Sequence, residues 1–157
     1  MTAPFRELHH ICVVVRDIDQ SVAYYESIGI GPWQDYPPLT EYTRLTAGNP
    51  DAFYAMRYKV VNLDNVQLQL CQPPELDCPH RRFLDARGEG VFHIGFESDL
   101  DAAAAAGAAV GLGVLMRGRR DNGSGFIYFD TRDEAGVVLL ARQTATSPAE
   151  TDGRARS

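Results

Sequence analysis

Two histidines stand at matching places in an internal repeat. His10 is followed by Ile11, and the same pair recurs as His93 and Ile94, 83 residues further along the chain. An imidazole can bind a divalent metal through a ring nitrogen, or it can transfer a proton near neutral pH. Two such rings on corresponding strands of a duplicated fold would share one site. The spacing therefore predicts a centre for metal binding or for acid–base chemistry.

The repeat extends beyond the histidines. Residues 17–19 (Asp-Ile-Asp) recur as 99–101 (Asp-Leu-Asp), and 29–31 (Gly-Ile-Gly) recur as 111–113 (Gly-Leu-Gly), each 82 residues later. Each half thus has a strand that carries a histidine, then an acidic turn, a helix and a glycine turn. An ordered series of this kind is typical of a duplicated module.

Local residue patterns assign the elements of each half. Residues 10–15 are rich in β-branched side chains, as a largely buried strand should be. Asp17 and Gln20 have the spacing of a capping box at a helix start, and Gly29 can end that helix in the left-handed conformation. Further strands are predicted from alternation with a period of two or from apolar runs between turns. They span residues 66–72, 125–129 and 136–141.

Composition restricts the class of protein. The 157 residues include 15 basic and 21 acidic side chains, which give a net charge of -6. An acidic chain lacks the basic face that nucleic acid binding requires, and no apolar run approaches the ~20 residues of a membrane span. The three cysteines have no CxxC spacing, which favours neither a disulfide framework nor a zinc site. We expect a cytoplasmic protein whose partner is a small molecule.

Several separate strings of residues carry a resemblance to a known family. They are LHHI at 8–11, VVRDI at 14–18, VQLQLCQP at 66–73, GEGVFHIGF at 88–96 and FIYFDT at 126–131. Together these strings resemble the vicinal oxygen chelate superfamily, and most closely its glyoxalase and methylmalonyl-CoA epimerase branch. The resemblance covers about residues 7–143.

The resemblance implies an α+β fold in which two βαβββ modules form one cup-shaped mixed sheet. We expect a single domain over residues 1–143, with modules at about 7–75 and 90–143. Residues 144–157 are rich in Ser, Thr, Pro, Gly and charge, which predicts a disordered tail. Members of the superfamily often pair, so a homodimer is expected.

The resemblance also implies a metal site inside the cup. In the family, each module supplies one ligand from its first strand and one from its last. By position these are His10 and Gln69 in the first module and His93 in the second, while Leu140 stands where the family usually has glutamate. Two interpretations stay open. Either the three ligands hold a divalent metal whose other positions are open to water or substrate, or the cup has lost its metal.

Strand alternation extends this site, because residues two apart on a strand point to the same side. The predicted catalytic residues are His10, His93 and Glu97. The predicted substrate-binding residues are Gln67, Cys71, Tyr128, Leu140 and Arg142. Such an interior suits a small, oxygenated, partly hydrophobic ligand. By the same alternation His9 points outward, whereas His80 and the basic run 117–120 are expected in solvated loops.

These features predict a small-molecule enzyme, an isomerase, epimerase or lyase that acts on an oxygenated substrate of secondary metabolism. Methylmalonyl-CoA epimerase activity itself would need a carboxylate base, and the stretch before Met56 offers only Asp51. One alternative is a binding protein like the bleomycin-resistance members, which sequester a drug without chemistry. Another is an iron-dependent ring-cleaving dioxygenase, whose two-histidine, one-carboxylate triad lacks its glutamate at Leu140.

Overall fold

One mixed sheet of nine strands organises the protein in a computed structural model, which describes residues 4–145. The strands are β1 Glu7–Val14, β2 Gln34–Asp35, β3 Arg44–Ala47, β4 Arg57–Asn62, β5 Gln67–Gln72, β6 Gly90–Glu97, β7 Val114–Arg119, β8 Gly125–Phe129 and β9 Val138–Gln143. The helices are α1 Ile18–Ser27, α2 Pro50–Tyr54, α3 Pro79–Arg87, α4 Leu100–Ala109 and α5 Arg132–Ala135, with a short 3₁₀-helix at Leu39–Glu41.

The two halves of the chain repeat the same strand pairing. β1 pairs in parallel with β5, β6 pairs in parallel with β9, and β1 meets β6 antiparallel at the centre of the sheet. β4 and β8 then extend the halves on either side. The full order is β2-β4-β5-β1-β6-β9-β8-β7-β3. The predicted α+β fold of two modules in one mixed sheet is confirmed.

Each half begins its first helix with an aspartate cap. Asp17 Oδ1 accepts a hydrogen bond from the Gln20 N–H at 3.1 Å, and Asp99 Oδ1 accepts one from the Ala102 N–H at 2.8 Å. These side chains satisfy backbone donors that have no partner within a helix start. The sequence repeat at 17–19 and 99–101 therefore has the same local structure in both halves.

β3 breaks the symmetry between the halves. The preceding strand, β2, pairs with β4 at one edge of the sheet, whereas β3 pairs with β7 at the other edge. The segment between them must cross from one edge to the other. It contributes Tyr36, Pro37, Leu39 and Tyr42 to the lining of the central cavity. This crossing segment, residues 36–43, closes the cup on a side that the repeat alone does not cover.

Three clusters of buried side chains stabilise the sheet and the helices that pack on it. One lies inside the cup and includes Cys12, Val14, Cys71, Met116, Phe126, Tyr128, Val138 and Leu140. A second packs Ile18 of α1 against the sheet, and a third packs Leu100 and Ala103 of α4 in the same way. Gly107 permits this approach of α4, because a Cβ there would lie 2.7 Å from Phe129 Cε1.

The predicted tail, 144–157, lies outside the described residues from position 146 onward. Its first two residues are packed against the sheet. Thr144 N–H donates to Glu97 Oε2 at 2.8 Å, and Ala145 is buried. Among the helices of residues 4–145, none is long and apolar enough to cross a membrane.

Candidate functional site

The cup encloses a cavity of about 200 Å³. Seven of the residues predicted from the sequence line it: His10, Gln67, Gln69, His93, Tyr128, Leu140 and Arg142. Two other predicted residues, Cys71 and Glu97, are not part of the lining. The two modules therefore bring most of the predicted site together around one small space.

His10 on β1 and His93 on β6 face each other in this cavity. Their Nε2 atoms are 3.0 Å apart, and both side chains are buried. The antiparallel pairing of β1 with β6 places His93 opposite Cys12 and Gly95 opposite His10, so the two rings lie on neighbouring strands. At this separation one ring nitrogen carries the hydrogen and the other accepts it.

Gly95 provides the space for the His10 ring. A Cβ atom at position 95 would overlap three atoms of that imidazole. Close-packed interiors absorb such an overlap only by moving one of the groups. The glycine on β6 therefore fixes where the ring of His10 can lie.

His9 extends the pair to three imidazoles, which we call the histidine chain (His9, His10 and His93). Its Nδ1 is 2.8 Å from His10 Nδ1, and it lines the cavity. The prediction that His9 points outward is wrong. A register shift between Leu8 and His10 interrupts the β1–β6 pairing, and such an irregularity can turn two successive side chains to one face.

Burial keeps the histidine chain neutral at neutral pH. It is the main cause that lowers the pKa of His10 and of His93 well below 6.5. It also lowers the pKa of His9 to about 4, with a smaller contribution from the charge of Arg142. A neutral imidazole has one N–H and one bare nitrogen, so each ring can both donate and accept a hydrogen bond.

The groups around the His10–His93 pair lack an anionic ligand. Gln69 lines the cavity, and its Nε2 donates to Gln67 Oε1 at 2.7 Å. Leu140 is buried and has no donor atom to offer a metal. Within residues 4–145, no three His, Cys, Asp or Glu side chains are grouped so that they could hold an ion.

The charges of the cavity oppose a divalent cation as well. Its lining contains Arg120 and Arg142 but, among the residues described, no Asp or Glu. Two imidazoles and one amide would leave the charge of the ion uncompensated, and two nearby guanidinium groups would repel it. The donor set His10, Gln69 and His93 therefore does not fit a divalent metal.

Glu97 lies behind Arg142 rather than in the cavity. Its Oε1 accepts a hydrogen bond from Arg142 Nη1 at 2.9 Å. Its Oε2 accepts from the Thr144 N–H at 2.8 Å and from the Thr144 hydroxyl at 2.9 Å. Both carboxylate oxygens are thus engaged, and they orient Arg142. The acid–base role predicted for Glu97 stays a prediction.

Tyrosine hydroxyls supply further polar groups to the lining. Tyr58 Oη and Tyr128 Oη are 3.2 Å apart, and Tyr36 Oη and Tyr42 Oη are 2.8 Å apart. Burial is the main cause that raises the pKa of Tyr58 and of Tyr128 well above 10. The hydroxyls of Tyr58 and Tyr128 therefore stay protonated and can donate hydrogen bonds.

Two residues expected in solvated loops are largely covered instead: His80 is buried and Arg120 is partly buried. His80 is 1% exposed on α3, and burial lowers its pKa to about 3. Pro79 is at the first position of that helix, and proline there is a sequence signal for a helix start rather than for a loop. Arg120 lines the cavity, and its side chain is 13% exposed. The sequence alone does not distinguish Arg120 from its exposed neighbour Arg117. Arg120 is covered by Tyr36 and Tyr42 of the crossing segment, and this contact exists only in the folded protein.

Two residues named from the sequence lie away from the cavity. Cys71 is buried, and its Sγ donates to Met56 Sδ at 3.5 Å. Asp51 is exposed on the first turn of α2, and it does not line the cavity. The structure therefore brings neither residue to the histidine chain.

A family model matches most of the chain. It describes the Glyoxalase/Bleomycin resistance protein/Dioxygenase superfamily, and it matches residues 9–129. The chain therefore belongs to this superfamily, and the resemblance stated from the sequence is confirmed. No curated protein matches the chain by sequence.

Solved structures of methylmalonyl-CoA epimerases share the fold. The enzyme from Mycobacterium tuberculosis is 21% identical, with a TM-score of 0.71 and coverage of 95% of both chains. An epimerase in complex with methylmalonyl-CoA and NH4+ is 24% identical, with a TM-score of 0.70 and coverage of 90% of this chain and 96% of the other. A variant of the Streptomyces coelicolor epimerase, in complex with 2-nitronate-propionyl-CoA, is 25% identical, with a TM-score of 0.70 and coverage of 93% and 100%.

Proposed function

We propose that this chain is a small-molecule enzyme that moves a proton on an oxygenated substrate without using a metal. The reaction class is isomerisation, epimerisation or elimination by a lyase. The observation that supports this most directly is the His10–His93 pair. Two buried imidazoles face each other at 3.0 Å in a cavity that is also lined by tyrosine hydroxyls.

The pair supplies a base and a hydrogen-bond donor at neighbouring points. Without a ligand, the Nε2–H of one ring donates to the bare Nε2 of the other, so a substrate reaches both atoms by displacing this hydrogen bond. A substrate carbonyl oxygen that enters between them accepts the N–H, while the bare nitrogen removes a proton from the adjacent carbon. The N–H then stabilises the enolate oxygen that this proton transfer creates.

The fate of the proton decides the reaction. Its return to the other face of the same carbon gives an epimer, and its delivery to a different atom gives an isomer. Loss of a leaving group from the enolate gives an elimination product, which is the reaction of a lyase. Tyr58 and Tyr128, with hydroxyls held 3.2 Å apart, supply protonated donors for the leaving or accepting atom.

The epimerase neighbours support proton transfer as the reaction class, since their structures contain methylmalonyl-CoA or 2-nitronate-propionyl-CoA. Two features argue for a different substrate in this chain. Leu140 replaces the usual glutamate of the family, and Asp51, the one carboxylate in the stretch where that branch carries its base, lies outside the cavity lining. The proposed substrate is therefore an oxygenated small molecule other than methylmalonyl-CoA.

A binding protein without chemistry is the second candidate. It is favoured by Leu140, which adds apolar surface where an enzyme of this family has a charged ligand, and by the aromatic lining around Phe53, Phe126 and Tyr128. In that case, His10 and His93 serve only as each other's partners. The ligand would leave the cavity unchanged.

Hydrogen–deuterium exchange at carbon distinguishes the two candidates whatever the product of the reaction is. The protein is incubated in D2O with enolisable 2-oxo acids, 3-oxo thioesters and methylmalonyl-CoA, and the α-proton signals are followed by NMR. The enzyme should exchange at least one compound, and His93→Phe should slow this by about 100-fold or more. Tyr24→Phe, at an exposed position on α1, is the control that should keep the rate.

The binding protein predicts a different outcome of the same experiment. A compound would bind to the wild type with no exchange, and mass spectrometry would recover it unchanged after long incubation. That result would overturn the enzymatic proposal.

A further inference from the structure

Arg120 presents one edge of its guanidinium group without hydrogen-bond partners. Its Nη1 donates to Ser124 Oγ at 3.2 Å. Its Nε and Nη2 are buried and have no hydrogen-bond partner among residues 4–145. Glu41 forms an ion pair with this edge, because its Oε1 is 3.6 Å from Nε, but that distance is too long for a hydrogen bond. Two buried donors of a charged group are therefore without a hydrogen-bond acceptor in the described part of the chain.

The orientation of this edge is set by its surroundings. The guanidinium carbon lies 4.1 Å from the centre of the Tyr42 ring, so the group stacks on the crossing segment. Ser124 holds the opposite nitrogen, and Ser124 is itself buried and bonded to Asn122 Oδ1 at 2.7 Å. The free edge thus belongs to a fixed group rather than to a mobile surface side chain.

The free atoms are those that recognise a carboxylate. Nε–H and Nη2–H are parallel on one side of a guanidinium, and their spacing matches the two oxygens of a carboxylate. Leaving such donors buried and unsatisfied is costly, whereas a bound carboxylate would satisfy both.

The balance of charge in the cavity also favours an anion. Arg142 already has a carboxylate partner, because it pairs with Glu97 at 2.9 Å. Arg120 has a longer ion pair, at 3.6 Å, with Glu41, whose side chain is 54% exposed to solvent. The described lining contains no acidic side chain, so both of these carboxylates lie outside the cavity wall, whereas the two arginines are part of it.

Aromatic rings connect Arg120 to the histidine chain. The ring of Tyr42, on which Arg120 stacks, is 5.0 Å from that of Phe126. Phe126 is 5.3 Å from Tyr128, and Tyr128 is 5.0 Å from His93, all between ring centroids. A ligand held at Arg120 would therefore lie along an aromatic wall that ends at the reacting imidazoles.

We propose that Arg120 binds the carboxylate of the ligand through Nε and Nη2, and that the ligand is a small carboxylic acid with an apolar or aromatic body. This rests on the proposed function in that it assigns the ligand to the same cavity. The bidentate contact itself requires no catalysis.

Equilibrium binding of matched probes tests this role. Phenylacetate, 4-phenylbutyrate and hexanoate serve as carboxylates, phenylacetamide as the neutral analogue and phenyl phosphate as the tetrahedral anion. At least one carboxylate should bind, and phenylacetate should bind about tenfold to a hundredfold more tightly than phenylacetamide. Arg120→Lys should remove most of this preference, since lysine keeps the charge but lacks the two parallel N–H donors of the guanidinium group. Arg119 pairs with Asp101 outside the cavity, so the control variant Arg119→Lys should keep the preference for phenylacetate over phenylacetamide.

A measurement on the wild type makes the result independent of how well the variant folds. The Nε–H resonance of Arg120, identified by its absence from the Arg120→Lys spectrum, should shift on addition of the carboxylate and not of the amide. Equal affinity for phenylacetate and phenylacetamide would overturn the proposal, and so would tighter binding of phenyl phosphate or binding of none of the carboxylates. Carboxylate binding without deuterium exchange would uphold Arg120 while removing the proposed enzymatic function.

Discussion

The Nε2 atoms of His10 and His93 are 3.0 Å apart, so each imidazole is the hydrogen-bond partner of the other. On the far side of His10, its Nδ1 is 2.8 Å from His9 Nδ1. His93 Nδ1, at the other end, has no hydrogen-bond partner in the described part of the chain. The three rings therefore have two proton arrangements. In one arrangement His9 donates to His10 and His10 donates to His93. In the other, His93 donates to His10 and His10 donates to His9.

Gly95→Ala should disturb this arrangement from the backbone of β6. The added methyl group would overlap the His10 ring, and the ring must move to accommodate it. We expect a loss of about 1–3 kcal/mol in the free energy of unfolding, as for other overpacked interiors. The exchange rate should fall as far as in a His10→Phe variant. Urea unfolding and the deuterium exchange assay measure the two effects.

Gly48→Ala is the matched control for that substitution. A Cβ at position 48 meets no atom within 4 Å, so its stability and exchange rate should stay near those of the wild type. If Gly95→Ala kept the wild-type rate, the position of the His10 ring would not matter for the reaction.

Leu140→Glu should create the metal site that the wild-type cavity does not support. The new carboxylate would join His10, Gln69 and His93 as an anionic fourth ligand. Without metal it should destabilise the protein by roughly 2–4 kcal/mol, because it buries a charge. Millimolar Mn²⁺ or Co²⁺ should then raise its Tm by about 5 °C or more, and should leave the Tm of the wild type unchanged.

Leu140→Gln is the control, since it has nearly the same shape as the glutamate variant but no charge. Metal should stabilise it much less. Stoichiometric metal in the wild type as purified, lost in His93→Ala, would show that the neutral donor set is sufficient after all.

The repeat explains how much of this fold and site the sequence predicts. His10 and His93 at matching positions predict that the two halves share one site, and the structure brings the two residues together through the central pairing of β1 with β6. Features that the repeat does not contain are not predicted from the sequence. The position of His9 depends on a register shift. The partial burial of Arg120 depends on Tyr36 and Tyr42 of the crossing segment, which cover its guanidinium group. Both are tertiary effects that alternation and composition do not encode.

Glu97→Gln separates a structural role of this carboxylate from the acid–base role predicted for it. The substitution removes the charge that pairs with Arg142 at 2.9 Å, which should cost about 1 kcal/mol in the free energy of unfolding. Because Glu97 does not line the cavity, the exchange rate should fall by less than about tenfold. A loss as large as that of His93→Phe would instead assign Glu97 to the reaction.

His80 should make the stability of the protein fall in mild acid. Its pKa is about 3 in the folded state, against 6.5 for a free histidine. Between these values the unfolded chain binds a proton at His80 and the folded protein does not. The stabilisation is therefore complete above about pH 6.5 and is lost as the pH falls toward 3. From pH 7.5 to pH 5 we expect a loss of about 2 kcal/mol from this residue alone.

His80→Gln isolates this contribution, since glutamine is polar and neutral throughout the range. Urea unfolding at several pH values should show a shallower dependence on pH in the variant than in the wild type. Some dependence should remain in the variant, because burial lowers the pKa of His9, His10 and His93 in the same direction. Tyr24→Phe, on the exposed face of α1, should keep the wild-type slope. Identical slopes in the wild type and in His80→Gln would mean that His80 takes up its proton without unfolding the protein.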